Sequence, residues 1–279
     1  MGIFDTLFGK KLFKPQPDDV KMWQSTGKFV ICQPCNCLEP QYKNGRFGNL
    51  LLHSETQDTG CDAWKLLESL VETAARKRSK EFSPGLEMPP ELWSQIITLP
   101  RSLAKLTSVK RLYLYGSNLV RIPPEIGAMD SLEELDIYTS YRLHWLPYEV
   151  TRCQKLKQSR ASTRALYGNY KYRPPFPRLG DGAAKTSFAP GRCSVCGQNF
   201  SPESVHQVWI SLCVATDVFP LLAHACSAEC VRKLPPSPKG YVNYPHTGGL
   251  ELQQPKPSHM VRGKVVSDEE LGAILRTDH

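Results

Sequence analysis

Val109-Lys110-Arg111-Leu112-Tyr113-Leu114-Tyr115-Gly116-Ser117-Asn118-Leu119-Val120-Arg121-Ile122-Pro123 is the stretch on which the fold turns. Leu112 and Leu114 alternate with Arg111, Tyr113 and Tyr115, the pattern of a short strand with one buried face. The stretch ends on an Ile-Pro step that belongs to a series. Leu99-Pro100, Ile122-Pro123 and Leu146-Pro147 lie 23 and 24 residues apart. One apolar skeleton follows each step: Leu103, Leu106, Val109, Leu112 and Leu114, then Ile126, Met129, Leu132, Leu135 and Ile137, then Val150, Cys153 and Leu156. In the third unit the pattern weakens at Ser159 and Ala161.

These residues resemble the leucine-rich repeat (LRR) of the 23-residue intracellular type, L-x-x-L-x-L-x-x-N-x-L-x-x-L-P. The departures are Ser117 and Ser140 at the asparagine position and Arg164 at its third occurrence, with one extra residue between Ser140 and Leu146. The resemblance implies a short solenoid over 87–168 within an α/β (α+β) protein, and a somewhat irregular arc because the asparagine ladder is missing. Met88-Pro89-Pro90-Glu91-Leu92 reads as a partial unit upstream. One unit cannot bury its own apolar edge, and about three are the minimum for a stable stack, so both ends need caps.

Upstream, residues 1–86 read as an N-terminal α+β region. Ala63, Leu67, Leu70, Val71 and Ala74 recur at helical spacing, with Asp62 placed to cap and Arg76-Lys77-Arg78 at the C-terminal end. This helix is the candidate N-terminal cap. Phe29-Val30-Ile31 and Asn49-Leu50-Leu51-Leu52 read as strands around Asn44-Gly45. Ile3, Phe4, Leu7, Phe8 and Leu12 beside Lys10, Lys11 and Lys14 suit either a helix packed on the protein or a weak membrane-surface contact through residues 3–14. Met1-Gly2 with Thr6 also fits a myristoylation pattern.

Downstream, Gly180 to Gly191 reads as a linker within 169–191, and 236–279 as a proline- and glycine-rich arm, extended or disordered to His259. Ser267 to Glu270 then caps a short helix. Between linker and arm, 192–235 carries Cys193-Ser194-Val195-Cys196-Gly197 and Cys226-Ser227-Ala228-Glu229-Cys230. Two close cysteine pairs suit tetrahedral Zn²⁺, each giving two thiolates from one turn. His224 is an alternative ligand, and Val205 to Leu212 reads as a strand. With Phe200, these residues are similar to small treble-clef modules of the TRASH, MYM and YHS kind, although the intervening loop is longer. Four thiolates leave no open coordination position, so the metal is expected to be structural. Cys32, Cys35 and Cys37, with Cys61, form a possible second site. Cys153 and Cys213 read as small buried hydrophobes.

The chain has 279 residues, ten cysteines and a net charge of +8. The apolar start is broken by Asp5, Lys10 and Lys11, and no stretch is long enough to span a bilayer. A reducing, cytoplasmic location is therefore expected, where close cysteines bind metal more often than they form disulfides. No G-x-S-x-G, G-x-x-x-x-G-K-[ST] or H-E-x-x-H motif occurs. We expect a binding protein rather than an enzyme. The side chains between the core leucines, Arg111, Tyr113, Tyr115, Glu134, Asp136, Tyr138, Gln158, Arg160 and Ser162, form the candidate strip for a protein partner. The alternatives are a substrate-recognition subunit of a larger complex, such as a ubiquitin ligase, and a nucleic-acid or metal-responsive regulator acting through the zinc module and its Arg232 and Lys233.

Overall fold

The computed structural model describes residues 50–180, 191–201, 204–261, 264–267, 269–271 and 273. The segment 3–14, the strand at 29–31 and Cys32, Cys35 and Cys37 lie outside these residues. Leu50 and Leu52 are within them and form no strand; they pack as loop residues against an aromatic cluster.

Helix α1 (Asp62–Lys77) buries Ala63, Leu67, Val71 and Ala74. Its N-cap is Cys61, not Asp62: the Cys61 sulfur accepts the Trp64 N–H, and Asp62 sits in the first turn, where its charge suits the helix dipole. Arg78 ends the helix in the left-handed region at φ 52°.

β1 (Glu81–Phe82) follows, then the one-turn helices α2 (Pro84–Glu87) and α3 (Pro90–Trp93). Strands β2 (Arg111–Tyr113) and β3 (Glu134–Ile137) come next, and after β4 (Leu146–Pro147) comes β5 (Gln158–Ala161). β1, β2, β3 and β5 form one parallel sheet in that order. Arg111 pairs with Glu134 and Glu134 with Gln158, so the pairing register equals the spacing of the Leu/Ile-Pro steps. The sheet starts upstream of the boundary expected at 86/87, because β1 belongs to it.

Each proline step turns the chain into a 3-10 helix: Arg101–Lys105, Pro124–Ala128 and Tyr148–Arg152. Proline fixes φ and lacks an N–H, which suits the residue before or at such a start. Leu103, Ile126 and Val150 point inward from these turns, Leu112, Leu135 and Ile137 from the strands, and Leu114 from just beyond β2; all are 2% exposed or less. The 3-10 layer is tightly packed. A Cβ on Gly127 would lie 2.7 Å from the Glu149 carbonyl oxygen. Gly127→Ala is therefore expected to cost about 1–3 kcal/mol in chemical denaturation, because the obstacle is backbone; a loss within error would mean that the corners give way freely.

The expected weakness of the hydrogen-bond ladder is partly made good by serine. Ser117 Oγ donates to Ser140 Oγ at 2.8 Å, and Ser140 Oγ lies 2.9 Å from the Leu114 carbonyl. The third place is taken by Ser162, whose Oγ accepts the Thr139 N–H at 2.9 Å, not by Arg164. The bond keeps the 23-residue span of the first step, from Ser117 N–H to Ser140 Oγ, although the strands pair here at 24.

β6 (His206–Val214) and β7 (Asp217–Ala225) make an antiparallel hairpin, and β7 also pairs in parallel with β4. The cysteine-bearing segment therefore shares a sheet with the third Leu/Ile-Pro step. Where the apolar pattern fails at Ser159, the hairpin turn closes on it: Ser159 Oγ donates to Asp217 at 2.8 Å, and Thr216 Oγ1 donates to the Ser159 carbonyl at 2.9 Å. Cys213, expected to be buried, is exposed: its pleat face is covered at Trp209 and Ser211, but Cys213 lies beside the hairpin turn at the end of β6.

The 169–180 part of the expected linker and much of the expected arm are packed together. Trp209 and His246 exchange backbone hydrogen bonds at 2.8 and 3.0 Å, and Leu179 N–H and Gly249 N–H donate to Thr247 and Phe176 carbonyls. Gly248, at φ 75°, passes so close to the Pro177 carbonyl that a side chain there would collide with it. Arg173, buried, donates to the carbonyls of Gly168 and Gly240. Farther on, β8 (His259–Val261) pairs with β9 (Lys264–Val266), and Ser267 and Glu270 form the expected capping box.

Candidate functional site

The four cysteines Cys193, Cys196, Cys226 and Cys230 meet. Their sulfurs all lie within 4.8 Å of one another, with Cys226 3.6 Å from both Cys196 and Cys230. Two local structures bring them there. In the first, Gly197 at φ 74° lets the chain reverse directly after Cys196, its N–H donating to the Cys193 carbonyl at 2.9 Å. In the second, β7 runs straight into α4 (Ala228–Arg232), whose N-cap Ser227 accepts the Cys230 N–H. The halves are tied by Ser194: its N–H donates to the His224 carbonyl at 2.7 Å, and its Oγ accepts the His224 N–H at 2.9 Å.

This donor set fits zinc. Sulfurs about 2.3 Å from a tetrahedral Zn²⁺ stand roughly 3.8 Å apart, close to the spacing found here. Backbone N–H groups of Cys196 and Cys226 point at the Cys193 sulfur at 3.4 Å each. Burial resists charge on Cys193, but these N–H groups and that of Val195 bring its thiol down to about 6. Hydrogen bonds with the sulfurs of Cys196 and Cys230, then burial, push Cys226 up to about 12. One thiolate forms readily; a cation is what lets the others follow. His224 is not part of the set: its Nε2 lies 2.9 Å from Gln207 Nε2, and burial lowers it to about 4. Cys153, pushed up to about 12 by burial, is an inert core thiol. Cys61, the described member of the possible second site, serves its helix cap.

The cluster is anchored to the third 3-10 turn through Arg152, a residue with no motif of its own. Arg152 donates to the Ser194 carbonyl at 2.9 Å. Lys233 pairs with Glu229 one turn away along α4, at 2.8 Å.

The parallel sheet brings the candidate partner strip onto one face. Arg160 stands over the rings of Tyr138 and Tyr115, 4.7 and 5.6 Å from their centroids, and the two rings lie 6.0 Å apart. Arg111 donates to Glu81 at 2.8 Å, and Tyr113 lies 3.5 Å from Glu134. Gln158, Arg111 and Tyr138 are exposed, whereas Tyr113, Tyr115, Glu134 and Arg160 are half-buried. Asp136 is a correction: it is 4% exposed, accepting the Tyr138 N–H and sitting 3.4 Å from Arg160, so it orients the arginine and is not itself a contact. Burial pushes its carboxyl up, against that N–H and Arg160. Ser162 likewise serves the internal ladder.

Among the described residues, no helix is long and apolar enough to cross a membrane. Comparison with models of known protein families and with curated proteins finds no match to this chain.

Proposed function

We propose that residues 81–161 are a short leucine-rich-repeat solenoid, that its open sheet face binds another protein, and that Zn²⁺ held by Cys193, Cys196, Cys226 and Cys230 staples the module closing its C-terminal end. On this reading the chain is a binding protein of a reducing compartment such as the cytoplasm, with no chemistry of its own. The observation that carries the partner reading is the column of Tyr115, Tyr138 and Arg160, with Asp136 buried behind it. A stacked arginine and tyrosines held from behind are pre-organised, so little side-chain entropy remains to be lost on binding.

A protein partner is favoured over nucleic acid because the cations of this face already have carboxylates: Arg111 with Glu81, Arg160 with Asp136, and Lys110 and Lys157 with Glu133. Phosphate binding would have to break those pairs. The test is affinity capture with wild-type protein and the Tyr138→Ala, Arg160→Ala double variant. Loss of a discrete wild-type partner, by about 2 kcal/mol or more for a hot-spot pair, is expected in a variant that still melts cooperatively, at a lower midpoint because buried Asp136 loses Arg160. Equal capture by the folded variant would move the interface elsewhere.

A further inference from the structure

The two repeat intervals that set the sheet register also align Ser102, Glu125 and Glu149, one on each 3-10 turn. All three line a single cleft of about 570 Å³ on the side of the stack away from the sheet face, within the range of small-ligand pockets. In each, one side-chain oxygen is buried without a hydrogen-bond partner among the described residues: Ser102 Oγ, Glu125 Oε2 and Glu149 Oε2. Glu149 is 3% exposed. A carboxylate so buried, with one oxygen unsatisfied, is costly unless something charged or hydrogen-bonding meets it.

We infer that this cleft is a binding site for an organic cation, an alkylammonium or guanidinium group, received by Glu125 and Glu149 with Ser102 beside them. Three observations select a cation. First, the arginines on the cleft wall are already engaged, Arg101 with Glu125 Oε1 at 3.6 Å and Arg121 with the carbonyls of His53 and Glu55. They do not turn the cleft into an anion site. Second, Trp64 and Trp145 line the same cleft, giving aromatic surface suited to a cation or its aliphatic stem. Third, among the described residues the only group of three or more metal-type ligands is the cysteine cluster, so these carboxylates lack the partners of a metal site. Burial, and the neighbouring charge of Glu125, raise the Glu149 carboxyl, while Ser194, its own backbone and Arg152 favour its charged form. A bound cation acts in the same direction as the latter group.

The cleft is separate from the partner strip and does not depend on it. Its test is titration of the zinc-loaded full chain, followed by tryptophan fluorescence, with n-butylammonium, n-butylguanidinium, butyrate and butanol at matched ionic strength. Saturable binding of a cation is expected, at least about tenfold tighter than butyrate or butanol, the size of one charge-assisted hydrogen bond. Glu125→Gln and Glu149→Gln, each checked by thermal melt, are expected to weaken it by a similar factor. Glu125 is partly exposed, so its variant decides the matter should Glu149→Gln fail to fold. Capped Gly-Lys-Gly and Gly-Arg-Gly peptides separate the sources: tighter binding than the matching alkyl cation assigns the site to a partner's basic side chain, weaker binding to a free amine. Butyrate or butanol binding as well as the cations, no saturation by any probe, or full affinity in a folded Glu125→Gln variant would overturn the inference.

Discussion

Purified without chelator, the protein is expected to carry zinc at Cys193, Cys196, Cys226 and Cys230, and removing it or substituting Cys226→Ser should lower the thermal midpoint by about 10 °C or more. The size follows from what the cluster replaces. Around it the core is small: Cys193, Ala225 and Cys230 are buried, with Val195, Phe200, Cys226 and Val231 packed at the edge. Apolar surface of that extent does not hold a knuckle and a five-residue helix together, whereas a structural Zn²⁺ contributes about 10 kcal/mol or more in small modules. Part of that is retained here, because β7 runs out of the main core and Ser194 remains tied to Arg152 and His224. A net loss near 5 kcal/mol, at roughly 2–4 °C per kcal/mol for a chain of this length, gives the stated shift. Cys213→Ser is the control: that thiol is exposed and outside the cluster, so content and midpoint should not move. One zinc per chain corresponds to the four clustered cysteines; a second would have to involve Cys32, Cys35 and Cys37, outside the described residues. Metal-free protein whose melt is indifferent to both chelator and Cys226→Ser would remove the staple.

What was legible beforehand was whatever repeats or is local. The Leu/Ile-Pro spacing is the register of the parallel sheet, because strands joined by equal loops pair at that interval. The cysteine pairs announce themselves because each lies within one turn. The burial of Asp136 is not legible, because strand alternation states which face a side chain is on, not whether a neighbouring arginine and the Tyr138 N–H cover it. The third step of the serine ladder lies two positions before Arg164: one position comes from the added loop residue and one from the donor, which is Thr139 rather than Ser140. The pairing of β4 with β7 left no sign: Leu146-Pro147 reads as a repeat step, and its edge partner lies more than 70 residues away. The Ser102, Glu125 and Glu149 column was present in the spacing but invisible as chemistry, because only the packed corners bury their oxygens.

Trp209→Ala is expected to cost about 4 kcal/mol and to release the segments around it to proteolysis. Trp209 is fully buried and meets Trp145, Tyr167 and Phe176, each with ring centroids 5.8 Å away. Removing so large a ring from a closed cluster carries both a transfer and a cavity cost, about 3–5 kcal/mol. The indole Nε1 also donates to the Pro177 carbonyl at 2.9 Å, which would lose its partner. That bond is informative because Pro177 belongs to the stretch that reads in sequence as leading into a linker. His246, which pairs with the Trp209 backbone, belongs to the stretch that reads as an arm. Such segments have no apolar period because irregular backbone imposes none; they are held by a few long-range bonds and one aromatic centre. Trp209→Phe keeps most of the ring and loses the N–H donor, so it should cost less, about 1–2 kcal/mol. Limited proteolysis should cut Trp209→Ala near 170–180 and 240–252 at conditions that leave the wild type whole. A cost under about 1 kcal/mol with an unchanged cleavage pattern would mean that these segments do not depend on Trp209 for their place against the core.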